Sequence, residues 1–158
     1  MKVLYLLLLI VTLPLKSNAQ KIEKWKITDV VNLIEKSDSI LVINFWATFC
    51  VPCIEEIPDL IKYTSIHKKN KVKLYLVSLD LPEYYPNKIK RFLAKKKFIA
   101  NIAWLDETNA DYFCPIVSEQ WSGAIPATLI VNTKKGYRQF YEKKLSALEI
   151  EKAIKAAL

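Results

Sequence analysis

Glycine and histidine are scarce in this chain of 158 residues, which contains two glycines and a single histidine, His67. Glycine-rich loops cradle phosphates and form the turns of dinucleotide-binding motifs, so their scarcity argues against both kinds of site. A metal site built from several histidines is excluded in the same way. The chain also lacks internal repeats and low-complexity linkers, which indicates a single folded unit.

The N-terminus lacks an apolar run long enough to cross a bilayer. A membrane-spanning helix needs about 20 apolar residues, whereas only 13 residues separate Lys2 from Lys16. A positive start, the apolar run 3–13 and small residues up to Ala19 are typical of a secretory signal peptide. We therefore predict a signal peptide at 1–19, cleaved after Ala19, and an exported protein of the periplasm or cell envelope. An uncleaved membrane anchor is the alternative.

Positive charge exceeds negative charge, with 24 lysines and arginines against 16 acidic residues. Loss of Lys2 and Lys16 with the signal peptide reduces the net charge from +8 to +6. In an exported protein this excess is more typical of a solvated basic face than of nucleic-acid binding, with attraction to anionic membranes as the weaker alternative. The remaining 139 residues suit one domain at 20–158. We expect a monomer that binds no nucleic acid.

Apolar runs of strand length predict the centre of a sheet. Residues 40–45 (I-L-V-I-N-F) are typical of a strand buried on both faces, and 72–79 (V-K-L-Y-L-V-S-L) form a second strong strand. Composition also predicts three shorter strands, the last two of which flank a hairpin turn at 132–136: 102–105, 128–131 and 137–141.

Helices are predicted between these strands. Thr28 and Asp29 can cap a first helix, and apolar spacing predicts helices at 53–67 and 89–98. A capping box at 146–149 opens the last helix, whereas 106–123 is expected to be a loop with a helical turn. The order of elements predicts an α/β fold, with a central mixed β-sheet flanked by helices on both faces.

Cysteine occurs three times after cleavage, and two of the three, Cys50 and Cys53, lie in W-A-T-F-C-V-P-C at 46–53. Structural disulfides usually need an even number of cysteines spread through a small domain, so a static staple is disfavoured. Zinc usually takes four ligands, and the other soft candidates, Cys114 and His67, form no second pair. The favoured interpretation is a pair that makes and breaks its own disulfide.

A C-x-x-C motif at the start of a helix meets the requirements of such a switch. Free N–H groups and the dipole at a helix N-terminus favour a thiolate on the first cysteine. Cys50 is therefore the predicted exposed nucleophile, and Cys53, one turn further, resolves the mixed disulfide. Pro52 has no N–H to donate and stiffens the turn. Cys114 is interpreted as a lone thiol, with a regulatory or intermolecular disulfide as the alternative.

The segment W-A-T-F-C-V-P-C-I-E-E-I-P resembles the active-site segment of the thioredoxin superfamily, most of all its exported TlpA/ResA-type thiol–disulfide oxidoreductases. Pro58 matches the proline that kinks the helix after the active site. Ile125-Pro126-Ala127-Thr128 matches the loop that carries a cis-proline. The order of predicted elements is that of a thioredoxin-like fold, and the resemblance covers residues 28–158.

This resemblance implies how a partner protein is bound. Pro126, in the cis form, would face the redox pair together with Ile125 and bind the partner's extended chain. Trp46 and Phe49 would shape the docking surface, with core packing as the alternative role for both. A second tryptophan is more usual in the family where this chain has Phe49, which affects partner contacts but not the reaction.

The resemblance also implies a proton carrier. Glu56 matches an acid that ResA-like members place near the two sulfurs, where it would exchange the proton of Cys53. Asn44 stands where thioredoxin has a buried acid. The alternative is that Glu56 is an ordinary surface residue of its helix.

These features predict an exported thiol–disulfide oxidoreductase that reduces disulfides of other envelope proteins, as in cytochrome c maturation, through a reversible Cys50–Cys53 disulfide. The dithiol itself carries the electrons, so no cofactor or metal is expected, and an exported reductant needs a membrane electron donor. A thiol oxidase or disulfide isomerase is the first alternative. A thioredoxin-fold metal chaperone or binding module is the second, and the lack of a histidine after His67 counts against it.

Overall fold

The computed structural model of the protein describes residues 20–158, so the predicted signal peptide at 1–19 lies outside the described residues. The strands of this part are β1 Ile22–Trp25, β2 Ile40–Trp46, β3 Val72–Ser78, β4 Asn101–Leu105, β5 Ala127–Asn132 and β6 Tyr137–Tyr141. They form one sheet in the order β1-β4-β3-β2-β5-β6. Strands β1 to β4 run parallel to one another, whereas β5 and β6 are antiparallel to their neighbours.

Helices cover both faces of this sheet. They are α1 Ile27–Lys36, α2 Val51–Ile66, α3 Asn87–Lys96, α4 Ala110–Val117 and α5 Ala147–Ala157. Apolar residues of α2, α3 and α5 belong to one core cluster, on one face of the sheet. Residues of α1 and α4 belong to a second cluster, on the other face. The predicted α/β fold, with a mixed sheet between two helical layers, is confirmed.

Strand β2 lies at the centre because both of its faces are apolar. Its seven residues are all buried. Val42 and Trp46 contribute to the first cluster, whereas Leu41, Ile43 and Phe45 contribute to the second, as the alternation of side chains in a strand requires. The cysteine motif follows this strand directly, so the most deeply buried strand of the sheet sets its position.

Strand β1 is an element that the sequence does not predict. It has only four residues, and two of them, Glu23 and Lys24, are exposed. Its partner is β4, with Ile22 opposite Ile102. A short edge strand whose pairing partner is distant in the chain is hard to predict, because its own residues show little strand pattern.

The segment 106–123, expected to be a loop with a helical turn, contains the eight-residue helix α4. Pro115 lies inside this helix and no side chain caps its N-terminus, so the usual local signals are missing. Phe113, Cys114 and Val117 are buried in the second cluster. Tertiary packing rather than local preference therefore stabilises α4.

The predicted helix boundaries lie close to those in the structure, and two of them need correction. Helix α1 begins at Ile27 rather than after Thr28 and Asp29, and Asp29 acts from inside the helix, where its carboxylate accepts the backbone N–H of Lys26 at 2.7 Å. Helix α2 begins at Val51, two residues earlier than predicted, and continues through Pro58 to Ile66. None of the helices within residues 20–158 combines the length and apolar character needed to cross a bilayer.

Candidate active site

Cys50 and Cys53 lie where β2 passes into α2. Their sulfurs are bonded to each other, and their Cα atoms are 5.3 Å apart. Cys50 is the N-terminal cap of α2, and its Sγ accepts the backbone N–H of Cys53 at 3.3 Å. A sulfur in this position faces the free N–H groups of the first helical turn, which favour negative charge on it.

The two cysteines differ in exposure, but less than the sequence predicts. Cys50 keeps 7% of its surface exposed and Cys53 keeps none, so the predicted exposed nucleophile is mostly covered in the disulfide form. The carbonyl oxygen of Ile125 lies 3.8 Å from the Sγ of Cys50 and shields part of this sulfur from solvent. Pro52 is exposed in the first turn of α2, where a missing N–H costs the helix no hydrogen bond.

The loop before β5 lies against the redox pair. The Ile125–Pro126 peptide bond is cis. Pro126 is buried and Ile125 is half-buried, with its carbonyl next to Cys50. The structure thus brings together the two segments that the sequence singles out, although 71 residues separate Cys53 from Ile125 along the chain. What Ile125 and Pro126 bind stays a prediction.

The two aromatic residues of the motif have different surroundings. Phe49 is 64% exposed, next to Cys50, and Val51 on the other side of Cys50 is 63% exposed. Trp46 has no exposed surface and packs against Phe92, with 5.8 Å between ring centroids. Trp46 therefore belongs to the core, which is the alternative role that the sequence leaves open for it, and it cannot contact a partner directly. Phe49 is in a position to do so.

Glu56 is buried in the first turns of α2 and is only 1% exposed, which excludes the alternative of an ordinary surface residue. One carboxylate oxygen accepts hydrogen bonds from Asn44 Nδ2 at 3.0 Å and from Thr128 Oγ1 at 3.3 Å. The other accepts the backbone N–H of Leu145 at 2.6 Å. The carboxylate thus joins β2, β5 and the segment before α5 beneath the redox pair.

Burial changes the protonation of this acid. Loss of solvent raises the pKa of Glu56 from 4.5 to about 7, although the hydrogen bonds from Leu145 and Thr128 oppose the rise. A carboxyl group with a pKa near neutrality can both accept and release a proton at physiological pH. The chemistry therefore suits the predicted role in proton transfer.

Asp80 is a site residue that the sequence analysis did not identify. It follows β3, is 3% exposed, and accepts the backbone N–H of Thr48 at 3.1 Å through both carboxylate oxygens. The Thr48 hydroxyl donates to it at 2.6 Å and the Ser78 hydroxyl at 2.7 Å. Asp80 thereby holds the chain two residues before Cys50. An acid placed directly after a buried strand is the signal that could have found it.

Glu142, directly after β6, is a second unpredicted anchor. Its carboxylate accepts the backbone N–H groups of Ser122 at 3.0 Å and Ala124 at 2.9 Å, together with the Ser122 hydroxyl. The Ser122 hydroxyl also lowers the pKa of Glu142, which keeps the carboxylate ionised at neutral pH. These bonds hold the chain immediately before Ile125 and the cis-proline.

The third cysteine lies away from this chemistry. Cys114 is unpaired and buried in α4, and burial raises the pKa of its thiol to about 11. A thiol with such a pKa is almost fully protonated at neutral pH and is a poor nucleophile. Within residues 20–158, no three or more histidine, cysteine or acidic side chains are grouped so that they could hold a metal ion.

A mixed sheet between two helical layers, with a C-x-x-C disulfide at a helix N-terminus, defines a thioredoxin-like thiol–disulfide oxidoreductase. The chain matches the AhpC/TSA family over residues 12–139, and it belongs to that family. The resemblance to the thioredoxin superfamily is thereby confirmed. A search of curated proteins finds no match.

Solved structures share the fold. A thioredoxin-related protein from Neisseria meningitidis serogroup B is 26% identical with a TM-score of 0.66, over 78% of this chain and 89% of that chain. StoA from Bacillus subtilis is 21% identical with a TM-score of 0.56, over 77% of this chain and 86% of that chain. A secreted Mycobacterium tuberculosis disulfide oxidoreductase homologous to E. coli DsbE is 16% identical with a TM-score of 0.56, over 77% and 84% of the two chains.

Proposed function

We propose that the protein is an exported reductant that transfers electrons from its Cys50–Cys53 dithiol to disulfides of other exported proteins. The observation that carries this proposal is the Cys50–Cys53 disulfide at the N-terminus of α2, with Sγ of Cys50 against the cis-proline loop. Export is supported by the signal-peptide pattern at 1–19 and by a structural neighbour that is a secreted oxidoreductase.

The first step is attack by the reduced protein on its partner. The Cys50 thiolate, favoured by the N-terminus of α2, attacks one sulfur of the partner's disulfide. A bond forms between Cys50 and that sulfur, the partner's S–S bond breaks, and the partner's second sulfur leaves as a thiolate that takes a proton from solvent.

The second step resolves this mixed disulfide. Cys53 gives up its thiol proton and attacks the Sγ of Cys50, which releases the first partner sulfur as a thiolate that takes a proton from solvent. Glu56 accepts the proton in this step, because its raised pKa lets it exchange protons near neutral pH. The partner has gained two electrons and two protons, and the protein is left with the Cys50–Cys53 disulfide. A membrane-bound dithiol donor must reduce it again.

The surface around Cys50 supports an extended, partly apolar partner segment. Phe49 and Val51 are exposed on either side of Cys50, and Ile125 adds apolar surface from the cis-proline loop. An extended chain lying along this loop would bring its own sulfur to Cys50. Pro126 lies beneath it and fixes the shape of the loop.

Cysteine variants test the mechanism. We expect Cys50→Ser to abolish reduction of a disulfide substrate such as insulin, since no nucleophile remains. Cys53→Ser should trap the partner on Cys50 as a mixed disulfide visible on a non-reducing gel. Cys114→Ser is the matched control and should retain turnover, because Cys114 is buried and protonated. Turnover by the Cys50→Ser variant would rule out this mechanism.

The reduction potential of the pair tests the direction. Proline in the second spacer position is shared with thioredoxin, whose potential is about −270 mV, whereas strongly oxidising relatives reach about −120 mV. Equilibration against dithiothreitol should therefore give a value near or below that of thioredoxin. A value well above about −200 mV would favour an oxidase or isomerase and overturn the reductant proposal.

A further inference from the structure

Three lysine-rich segments meet at the end of the sheet opposite the redox pair. The segments are 68–71, 95–97 and 134–135, and they contain eight lysines and no acidic residue. We call this part of the molecule the lysine end. Each segment lies close to the end of a strand: 68–71 leads into β3, 95–97 closes α3 three residues before β4, and 134–135 joins β5 to β6.

Strand pairing explains why segments so far apart in sequence share one end. Ile40 at the start of β2 pairs with Val72 at the start of β3, and its N–H donates to the carbonyl of Lys71 at 3.1 Å. Strand β5 runs the other way, so Val131 near its end lies opposite Leu41 near the start of β2. The redox pair follows the far end of β2, about 20 Å away at roughly 3.3 Å per residue.

A groove brings the first segment next to the chain that follows the second. The groove is open, has a volume of about 710 Å³, and is lined by Lys68 and Lys71 together with Ile99, two residues after segment 95–97, and Asn101 at the start of β4. The third segment lies beside the first, because the hydroxyl of Thr133, next to Lys134, donates to the carbonyl of Ser37 at 3.2 Å, and the neighbouring Asp38 pairs with Lys71.

The positive charge at this end is largely uncompensated. Within residues 20–158, the only ion pair that includes a lysine of these segments joins Lys71 to Asp38 at 2.6 Å. Lys135 contacts the carbonyl oxygen of Leu158. Of the twelve other lysines within residues 20–158, six pair with acids, as Lys144 does with Glu55 at 2.5 Å. The lysine end therefore presents a concentrated positive field to its surroundings.

Two lysines occupy backbone conformations that favour glycine. Lys71 has φ 59° and Lys97 has φ 57°, both in the left-handed region. A residue with a side chain adopts this region only at a steric cost. Both side chains are exposed, so burial of the side chain does not offset the unfavourable backbone conformation in the folded domain.

Exposed isoleucines accompany these lysines. Ile66, at the end of α2, is 60% exposed, and Ile99, which lines the groove, is 79% exposed. The side-chain amide of Gln20, the first described residue, donates to the carbonyl of Ala100, which places Gln20 near the start of β4 at this end. Basic side chains around a few large apolar ones suit the boundary of an anionic bilayer, which attracts lysine and admits isoleucine.

We propose that the lysine end docks on the anionic phospholipid surface of a membrane, with Ile66 and Ile99 at the headgroup boundary. The lysines contact lipid phosphates, and the sheet holds the redox pair on the side of the molecule away from the lipid. A membrane electron donor and exported partners would then meet the protein at a fixed orientation. The proposal concerns a surface that the redox reaction does not use, so either can fail without the other.

Vesicle binding tests the proposal. The full chain is expressed and purified in the form to which cells process it, and its binding to phosphatidylglycerol–phosphatidylcholine vesicles is measured by co-sedimentation at low salt. The triple variant Lys68→Gln, Lys69→Gln, Lys95→Gln should bind about 100-fold more weakly, at roughly fivefold per lysine. Pure phosphatidylcholine vesicles and high salt should also reduce binding.

The matched control removes the same charge from the other end of α3. Lys88, Lys90 and Arg91 are exposed at the start of that helix, and their triple replacement by Gln should leave vesicle binding within a few-fold of the unaltered protein. Equal loss in both variants would show that net charge alone acts and would overturn the proposal. Insulin reduction and far-UV circular dichroism should be unchanged in both.

Variants of the isoleucines test whether apolar side chains enter the lipid boundary. Ile99→Ser should weaken vesicle binding about tenfold, because one large apolar side chain no longer enters the lipid boundary. Vesicle binding that depends on the lysines but not on Ile99 or Ile66 would indicate a purely electrostatic contact with the lipid surface. That outcome would overturn the placement of the two isoleucines at the headgroup boundary.

Discussion

At the redox end of the sheet, the carboxylates of Glu56 and Asp80 are almost fully buried and bind backbone N–H groups, whereas the lysines at the opposite end are exposed and mostly unpaired. The buried acids act over a single hydrogen bond and fix the geometry of the chain around Cys50. Apart from the Lys71–Asp38 pair and the contact of Lys135 with Leu158, the lysines form no ion pair within residues 20–158 and act at longer range. Charge therefore shapes the local site at one end and the external field at the other.

The two arrangements respond differently to their surroundings. A buried hydrogen-bonded carboxylate is shielded from salt, and removing it leaves its partners unsatisfied. Exposed charges are screened within about 8 Å at physiological ionic strength, and single ones contribute little to stability. Substitutions at the redox end should therefore change stability or pH dependence, whereas those at the lysine end should change binding.

The largest expected effect is the loss of a pH dependence in Glu56→Gln. The folded-state pKa of about 7 lies above the ordinary 4.5, so folding favours the protonated acid. That contribution is fully present below about pH 4.5 and is lost as pH rises to about 7, a decrease of about 3 kcal/mol in the free energy of unfolding. Urea unfolding at pH 5 and pH 8, with the disulfide intact, should show this decrease in the unaltered protein and not in the variant.

Glu55→Gln is the matched control for that experiment. Glu55 is the neighbouring acid, is exposed and pairs with Lys144. Its replacement should leave the dependence between pH 5 and pH 8 as it is. If the dependence persisted in Glu56→Gln, the assignment to Glu56 would be wrong.

A smaller loss is expected for Asp80→Asn. The amide cannot accept the N–H and hydroxyl of Thr48 together with the Ser78 hydroxyl, so buried donors lose their partner. We expect about 2 kcal/mol less stability and slower insulin reduction, because the chain before Cys50 is released. The equivalent change at the lysine end, Asp38→Asn, breaks only an exposed ion pair and should cost less than about 1 kcal/mol. Similar losses of stability in Asp80→Asn and Asp38→Asn would contradict the proposed difference between the buried acids of the redox end and the exposed charges of the lysine end.

The smallest expected effect is a gain. Lys97, at the end of α3, has φ 57°, and glycine adopts this conformation without strain. Lys97→Gly should therefore raise the free energy of unfolding by about 0.5–1 kcal/mol. Lys96→Gly, one residue earlier within the helix, should lower it by about 1 kcal/mol. Chemical denaturation of the two variants compares them directly, and a loss in both would refute the left-handed explanation.

Much of the fold follows from local pattern. The apolar run 40–45 predicts the central strand, and the C-x-x-C motif after it predicts the position of the redox pair. Helix α4 and strand β1 were missed because their stability comes from contacts with distant parts of the chain. The resemblance to a known family singles out Glu56 and Pro126, which pattern alone does not.

The sequence also leaves some side chains without an assigned environment. Trp46 and Phe49 are both aromatic residues of one motif, but the strand's alternation buries Trp46 and the turn after it exposes Phe49. Asp80 and Glu142 carry no motif of their own. They become anchors of the site only because their elements end beside Thr48 and Ser122.

The amino-acid sequence by itself determined the chemistry of the site, because two cysteines three residues apart at a helix start are close whatever else the chain does. It also determined the total charge. Only the tertiary structure decided where that charge acts. Parallel strands that are distant in the sequence have their N-terminal ends at one edge of the sheet and their C-terminal ends at the opposite edge. The lysines are thereby collected at one end of the sheet, while Glu56 and Asp80 are buried at the other, where desolvation and backbone N–H groups give each acid its function.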